Sequence, residues 1–229
     1  MQDYVVISLV VLVGFAVGQE DSAPLPSCNN PEETKSFMDP SGCDKYMLCS
    51  NGTLSFETCE NGLLYSGKGA VHEFCDYHWR VDCGERPFEL SESREGACPY
   101  SFGVFPSGEG CADYFLKCAF GEVEPEICDE GLAYDDRSHA CNWPDLLPEC
   151  SIGDAEHLVG FSCPAEIPVG SASIRFGQFP RFATGECDRV VTCVNYYPRL
   201  IKCSASQSVD DNSLTCVPSE LVPGCGARK

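Results

Sequence analysis

The chain has 229 residues, 18 of them cysteine, and a formal net charge of −20 at pH 7. So large an acidic excess argues against nucleic-acid binding, because phosphate backbones are bound through basic patches. This cysteine content is close to the roughly 8–10% that marks disulfide scaffolds, in which cross-links take over part of the role of a large apolar core.

The N-terminal segment has the pattern of a secretory signal. An apolar run over residues 5–17 is followed by small residues up to Gly18 and then by a polar, acidic segment. The run is too short for a transmembrane helix, which needs about 20 apolar residues. We predict a signal peptide over residues 1–18, a secreted extracellular protein, and no membrane partner.

After that segment the cysteines form a group of six that occurs three times. The gaps between successive cysteines are 14, 5, 9, 15 and 7 residues in the first copy, 12, 6, 9, 12 and 8 in the second, and 23, 5, 9, 12 and 8 in the third. An internal repeat of this kind determines the architecture. We predict three modules, over residues 28–83, 98–150 and 163–225, joined by short linkers.

Within each copy, turn signals separate short strand-forming segments. In the first copy Asn51-Gly52 stands between residues 46–49 and 54–59, and Asn-Gly between such segments is a strong hairpin signal. No segment after the N-terminal run shows a sustained 3.6-residue apolar period. We therefore predict a small disulfide-rich β fold, with three tandem cysteine-stapled modules that contain short antiparallel β-hairpins and little helix.

Neither metal nor catalytic chemistry has a clear signature. Neighbouring cysteines are separated by at least five residues, whereas structural zinc sites favour ligands two to four residues apart. No nucleophile elbow, HExxH sequence or phosphate-binding glycine loop occurs. We predict no metal, no cofactor and no catalytic residue, and therefore a protein that is not an enzyme.

Aromatic side chains are the candidate ligand-binding groups. A flat ring offers a large, rigid contact area to the apolar face of a sugar, although in a module this small an aromatic residue can equally belong to the core. Adjacent strand residues face opposite ways, so at most one of Tyr114 and Phe115 points into a given face. The candidates are Phe37, Tyr46, Tyr65, Phe105, Tyr114, Phe115, Tyr134 and Trp143.

The hairpin turn of the first copy also contains an N-glycosylation sequon, Asn51-Gly52-Thr53. Such a sequon in a secreted protein predicts a modified surface asparagine, here Asn51. The alternative is that the three residues serve only as a turn.

The cysteine pattern and its flanking residues resemble the peritrophin-A type (type-2) chitin-binding domain. The matching residues include Phe105-Pro106 before the second cysteine of a copy, Tyr46 before the third, and Gly131-Leu132-Ala133-Tyr134 after the fourth. Phe179-Pro180 is the corresponding Phe-Pro of the third copy. Three modules with short linkers resemble the obstructor group of arthropod cuticular proteins analogous to peritrophins.

The resemblance implies both a cross-link pattern and a function. Family modules join the first cysteine to the third, the second to the sixth, and the fourth to the fifth. A secreted, non-catalytic protein is implied that organises chitin, including partly deacetylated chitin, in cuticle, tracheal lining or peritrophic matrix. The implied pairs are Cys28–Cys49, Cys43–Cys83, Cys59–Cys75, Cys98–Cys118, Cys111–Cys150, Cys128–Cys141, Cys163–Cys193, Cys187–Cys225 and Cys203–Cys216.

The third copy departs from this pattern. Val190 stands where Tyr46 stands in the first copy, and Tyr196 replaces the turn glycine. We expect this module to fold through its cysteines, to bind chitin poorly, and to be available for contacts with matrix proteins.

A second function remains open. The first loop of the third copy, residues 164–186, is enlarged and contains Arg175 and Arg181. A disulfide-stapled extracellular inhibitor or protein-interaction protein could present such a loop to a partner. Loss of inhibition on changing one of these arginines would distinguish it from a chitin-binding protein.

Overall fold

The chain forms three successive β modules. The computed structural model describes residues 25–93, 96–108 and 110–225. Each module contributes a three-stranded antiparallel sheet followed by a two-stranded hairpin, so the expected disulfide-rich β fold is confirmed. The expected signal peptide, residues 1–18, lies outside the described residues.

The elements follow one order in every module. Module 1 contains β1 (Lys35–Met38), β2 (Lys45–Ser50), β3 (Thr53–Thr58), β4 (Leu63–Tyr65) and β5 (Cys75–Tyr77). Module 2 contains β6 (Gly103–Pro106), β7 (Tyr114–Ala119), β8 (Glu122–Ile127), β9 (Ala133–Asp135) and β10 (Ala140–Asn142). Module 3 follows the helix α1 (Ile152–Val159) and contains β11 (Arg181–Ala183), β12 (Arg189–Val194), β13 (Tyr197–Lys202), β14 (Gln207–Asp210) and β15 (Thr215–Pro218). Single 3-10 turns cover His78–Arg80, Pro144–Leu146, Ala172–Phe176 and Ser219–Leu221.

The predicted hairpin of module 1 is present, and the geometry of its turn explains why Asn51-Gly52 occurs there. Asn51 and Gly52 both have positive φ angles, 51° and 73°, as the two-residue turn between β2 and β3 requires. In module 3 the same turn contains Asn195 and Tyr196, with φ angles of 48° and 70°. Module 3 thus keeps the turn without a glycine, although a left-handed backbone costs a non-glycine residue about 1–2 kcal/mol.

Nine disulfides staple the three modules. In each, the first cysteine bonds to the third, the second to the sixth and the fourth to the fifth, which is the pairing that the family resemblance implies. The Cα–Cα separations range from 4.8 to 5.9 Å, which is ordinary disulfide geometry. Among the described residues no cysteine is free.

The apolar cores between sheet and hairpin are small. In module 1 the core centres on Tyr46, Leu63 and the Cys59–Cys75 disulfide. In module 3 Val190, Val209 and Leu214 occupy the corresponding space. Cores of so few side chains contribute little hydrophobic stabilisation, and cross-links must supply the rest.

Module 2 reaches into the core of module 1. The buried Phe102 belongs to the core cluster of module 1, and its amide donates a hydrogen bond to the Asn61 carbonyl at 3.0 Å. Next to it, a Cβ on Gly62 would lie 2.0 Å from the Phe102 carbonyl oxygen, so only glycine fits there. The two modules are therefore packed against each other at this point.

The segment between modules 2 and 3 contains the helix α1, which the sequence pattern did not predict. Ser151 and Asp154 form a capping box at the N-terminus of α1, and Gly160 ends the helix in the left-handed conformation. The helix packs on the sheet of module 3, where Val159 joins a cluster with Val191 and Leu200. Within the described part of the chain, no helix is long and apolar enough to cross a bilayer.

Candidate binding surface

Each three-stranded sheet has two faces with different roles. We call the face toward the two-stranded hairpin of the same module the inner face, and the opposite one the outer face. In module 1 Tyr46 of β2 points inward, where its ring stacks on Tyr65 with centroids 5.3 Å apart. Because side chains alternate along a strand, the neighbouring Met47 belongs to the outer face.

The inner tyrosines of module 1 are held by hydrogen bonds. The Tyr46 hydroxyl donates to Glu73 Oε2 at 2.6 Å, and the Tyr65 hydroxyl lies 3.0 Å from Ser36 Oγ. Burial, reinforced by the hydrogen bond to Glu73, raises the pKa of Tyr46 well above its ordinary value. The ring of Tyr46, which is 1% exposed, is part of the module core.

Module 2 repeats this inner arrangement and shows which of the adjacent residues Tyr114 and Phe115 points inward. Phe115 stacks on the buried Tyr134, with centroids 5.1 Å apart, and therefore occupies the place of Tyr46. Tyr134 donates a hydrogen bond to the Val104 carbonyl at 3.2 Å, and burial raises the pKa of its hydroxyl. Tyr114 consequently points to the outer face.

Four of the eight candidate aromatics thus lie on the inner side of their sheets. Tyr46 and Tyr134 are buried, while Tyr65 and Phe115 are half-buried against them. A buried ring cannot lie flat against a polymer. Tyr46 and Tyr134 are therefore core residues of their modules and not contact residues for a sugar. Each of these two rings packs between the sheet and the hairpin of its module and so holds the two together.

The outer face of module 1 presents an apolar row across the sheet. Phe37 of β1, Met47 of β2 and Phe56 of β3 are direct cross-strand partners and so share one face. Phe56 is 62% exposed, Phe37 is half-buried, and Met47 between them is buried. The sequence candidates did not include Phe56, although its position in a strand that alternates with polar residues was a usable signal.

The outer face of module 2 is broader. Phe105, Leu116 and Pro125 form the row equivalent to that of module 1. Beside it Tyr114 pairs with Ile127, and these side chains are 40% and 79% exposed. Tyr114 is one of the aromatic sequence candidates, whereas Ile127 is aliphatic and is not among them.

Phe105 is held in place within this outer face. Its ring lies over Gly103, where a Cβ would come within 2.4 Å of the ring. Tyr100 lies beside it, with ring centroids 6.1 Å apart. Phe105 therefore forms a fixed part of the surface around Tyr114.

Trp143 is separate from these surfaces. It lies at the junction with module 3, where the Arg199 guanidinium is 5.4 Å from its ring centroid. Arg199 also forms a bidentate ion pair with Asp145, with Nε 2.7 Å from Oδ1. The structure thus places Trp143 at the boundary between modules 2 and 3.

In module 3 the equivalent outer face is covered. Phe182, Val191 and Leu200 form the row that matches Phe37, Met47 and Phe56 by register and by distance from the third cysteine. Val191 and Leu200 are buried, and Val159 of α1 and the following Phe161 pack over them.

The same register corrects one sequence match. The Phe-Pro of the third copy, Phe179-Pro180, precedes the strand and does not occupy the place of Phe105-Pro106. Phe182 takes that place, because the enlarged loop shifts the strand along the sequence.

Asn51 occupies the tip of the first hairpin. Its side chain is exposed and belongs to the two-residue turn. The position would admit a glycan, and its modification stays a prediction.

Comparison with known proteins shows a family match for the two modules that have exposed outer faces. Residues 28–83 and 98–150 match the model of the Peritrophin-A chitin-binding domain. These two modules belong to the peritrophin-A chitin-binding family. The matched segments coincide with the first two cysteine repeats and end before α1.

Relatives extend the similarity beyond these domains. Protein obstructor-E of Drosophila melanogaster is 29% identical over 215 residues, covering 88% of this chain and 82% of that protein. Peritrophin-1 of Anopheles gambiae is 28% identical over 148 residues, covering 61% of this chain and 94% of that protein. Probable chitinase 10 of Drosophila melanogaster is 29% identical over 108 residues, but these make up only 4% of that protein.

Proposed function

We propose that this chain is a secreted, non-catalytic structural protein that binds chitin through the outer faces of modules 1 and 2. One observation supports this most directly. The two segments that match the peritrophin-A domain are also the two whose outer faces present exposed apolar side chains, such as Phe56 and Tyr114. In module 3 the same face is closed by α1.

The chemistry of these faces suits an N-acetylglucosamine polymer. Sugar rings have apolar C–H faces, and rigid aromatic and aliphatic side chains cover them with little loss of conformational entropy. A single face is small and binds weakly. Two faces on one polymer raise the overall affinity by about 10²–10⁴ through effective concentration.

The net charge and cross-links fit an extracellular matrix. Disulfides of this number persist in oxidising compartments, which supports secretion. A net charge of −20 attracts a cationic polymer, so partly deacetylated chitin is included among the ligands. We place the protein in cuticle, tracheal lining or peritrophic matrix, with module 3 available for matrix-protein contacts.

The inhibitor alternative has less support from the enlarged loop. The Arg175 guanidinium donates to the Asn212 carbonyl at 3.4 Å, and that of Arg181 lies 4.5 Å from the Phe176 ring centroid. Both guanidinium groups contact their own module, although Arg175 is exposed. An inhibitory loop would instead project a side chain toward its protease.

The proposal is tested by retention on chitin. The mature chain is applied to chitin beads and to partly deacetylated beads at low and high salt, and we expect retention on both. Retention on chitin at high salt is expected to persist, because apolar contacts are not screened. A protein that leaves the chitin column with an equally acidic, disulfide-rich control protein would contradict the proposed function.

A further inference from the structure

Module 3 contains a groove that is lined by residues of its sheet, of its enlarged loop and of module 2. It lies on the inner face of β11–β13 and has a volume of about 420 Å³, within the roughly 300–1,000 Å³ of ligand pockets. Phe176 and Phe179 of the enlarged loop form one wall, and Trp143 of module 2 contributes to another. The groove therefore depends both on the loop and on the packing of module 2 against module 3.

The floor of the groove carries an unusual row of polar side chains. Arg181, Thr192 and Arg199 are direct cross-strand partners across the three strands. The equivalent rows, counted from the third cysteine, are Ser36–Leu48–Ser55 in module 1 and Val104–Lys117–Glu124 in module 2. No Asp or Glu lines the groove among the described residues, in a chain with 35 acidic and 15 basic residues.

The three polar side chains of this row differ in whether they have ion-pair or hydrogen-bond partners. Asp145 neutralises Arg199 in the bidentate ion pair described above. Arg181 has no carboxylate within 4.0 Å among the described residues, and its one hydrogen bond goes to the Leu214 carbonyl at 3.4 Å. Thr192 Oγ1 is buried and lacks a hydrogen-bond partner in the described part of the chain. The floor thus offers an uncompensated cation and an unused hydroxyl group.

We propose that this groove binds a saccharide unit that carries a carboxylate or sulfate group. The aromatic walls suit the apolar face of a sugar ring, and Arg181 supplies a charge-assisted hydrogen bond to an anionic substituent. Thr192 hydrogen-bonds a ring hydroxyl and so gains the partner that it lacks. The same cation repels a protonated amino sugar, so the ligand class differs from the partly deacetylated chitin that the net charge attracts.

The test measures binding of soluble disaccharides to the full mature chain by calorimetry. The probes are a chondroitin sulfate disaccharide, di-N-acetylchitobiose as the neutral counterpart, and its deacetylated cationic form. We expect the acidic disaccharide to bind in the groove, more weakly as salt increases, and the cationic one not to bind there. Arg181→Gln and Phe179→Ala should each lower the affinity for the acidic probe about tenfold.

Lys68→Gln is the matched control, since it removes one positive charge from an exposed site of module 1. It should leave the affinity for the acidic probe unchanged, and Arg181→Gln should leave retention on chitin unchanged. The proposal is wrong if the acidic probe does not bind, if Lys68→Gln weakens it as much as Arg181→Gln, or if the neutral probe binds the groove equally tightly. If the unaltered chain is not retained on chitin, that result contradicts the proposed function and not the proposal for this groove.

Discussion

Replacing Phe56 and Tyr114 together by alanine is expected to lower the affinity for chitin about 100-fold or more. Each side chain is the exposed aromatic of one outer face, 62% and 40% exposed. Truncating an aromatic that anchors a contact commonly costs about 2 kcal/mol, and loss of both anchors also removes the gain from binding at two points. The measurement is a binding isotherm of the full chain on chitin beads, with each single variant included.

The matched control is the double variant Phe88→Ala and Tyr196→Ala. These residues have the same side chains and similar exposure, 45% and 57%, but Phe88 lies between modules 1 and 2 and Tyr196 lies in a turn of module 3. The control should bind chitin like the unaltered chain, and all variants should unfold at the same urea concentration. An equal loss in both double variants would show that retention is a general property of exposed aromatics and would contradict the outer-face account.

Removing the Cys43–Cys83 disulfide by alanine substitution of both residues is expected to destabilise module 1 by roughly 4 kcal/mol. The bond joins residues 40 apart in sequence, and the chain-entropy model gives about that value for a loop of this length. Small domains have only about 5–15 kcal/mol of stability, so much of module 1 should unfold at moderate urea. In a Trp143→Phe background the fluorescence comes from Trp79, which stacks on His139 where modules 1 and 2 meet, and its transition should shift to much lower urea.

Removal of Cys203–Cys216 provides the comparison in module 3. Its sequence separation is 13, for which the same model gives about 3 kcal/mol. This variant should keep its retention on chitin, whereas the Cys43–Cys83 variant should lose part of it. If both variants unfolded like the unaltered chain, the small cores and not the cross-links would provide most of the stability.

The architecture could be read from the sequence because cysteine spacing is a covalent signal. The repeated gaps define the three modules, and Asn51-Gly52 locates the first hairpin, since a two-residue turn with two positive φ angles favours those residues. The disulfide pairing, in contrast, followed only from the family resemblance, because six cysteines allow fifteen connectivities.

The helix α1 could not be predicted with the same ease. Four of its eight residues are apolar, but they span only about two turns, too short for a sustained period, and the stability of the helix comes from packing on module 3. Its ends were nevertheless encoded, by Ser151 and Asp154 at the start and by Gly160 after the end. A capping box followed by a glycine was the signal available in this segment.

The binding surface was the hardest part to predict. Sequence spacing places Tyr114 and Phe115 on opposite faces of a strand but does not say which face the hairpin covers. That choice is made by the stack of Phe115 on Tyr134, a contact between residues 19 apart in sequence. The exposure of Phe56 likewise depends on what does not pack over β3, whereas Ile127 was missed because it is not aromatic.

The closed face of module 3 gives the three copies different roles on one scaffold. Modules 1 and 2 keep open outer faces, whereas α1 covers Val191 and Leu200 in module 3. The enlarged loop then builds a groove on the inner side of the same sheet. A repeat with conserved cross-links can thus change its binding surface without changing its fold.

Amide hydrogen exchange of the full chain, with and without a soluble chitin oligosaccharide, tests most directly whether the outer faces of modules 1 and 2 bind the polymer. We predict slower exchange in residues 35–58 and 103–127, the two open sheets, and unchanged exchange in residues 181–202. Protection confined to module 3, or no protection in either of the first two sheets while the oligosaccharide is bound, would contradict the account.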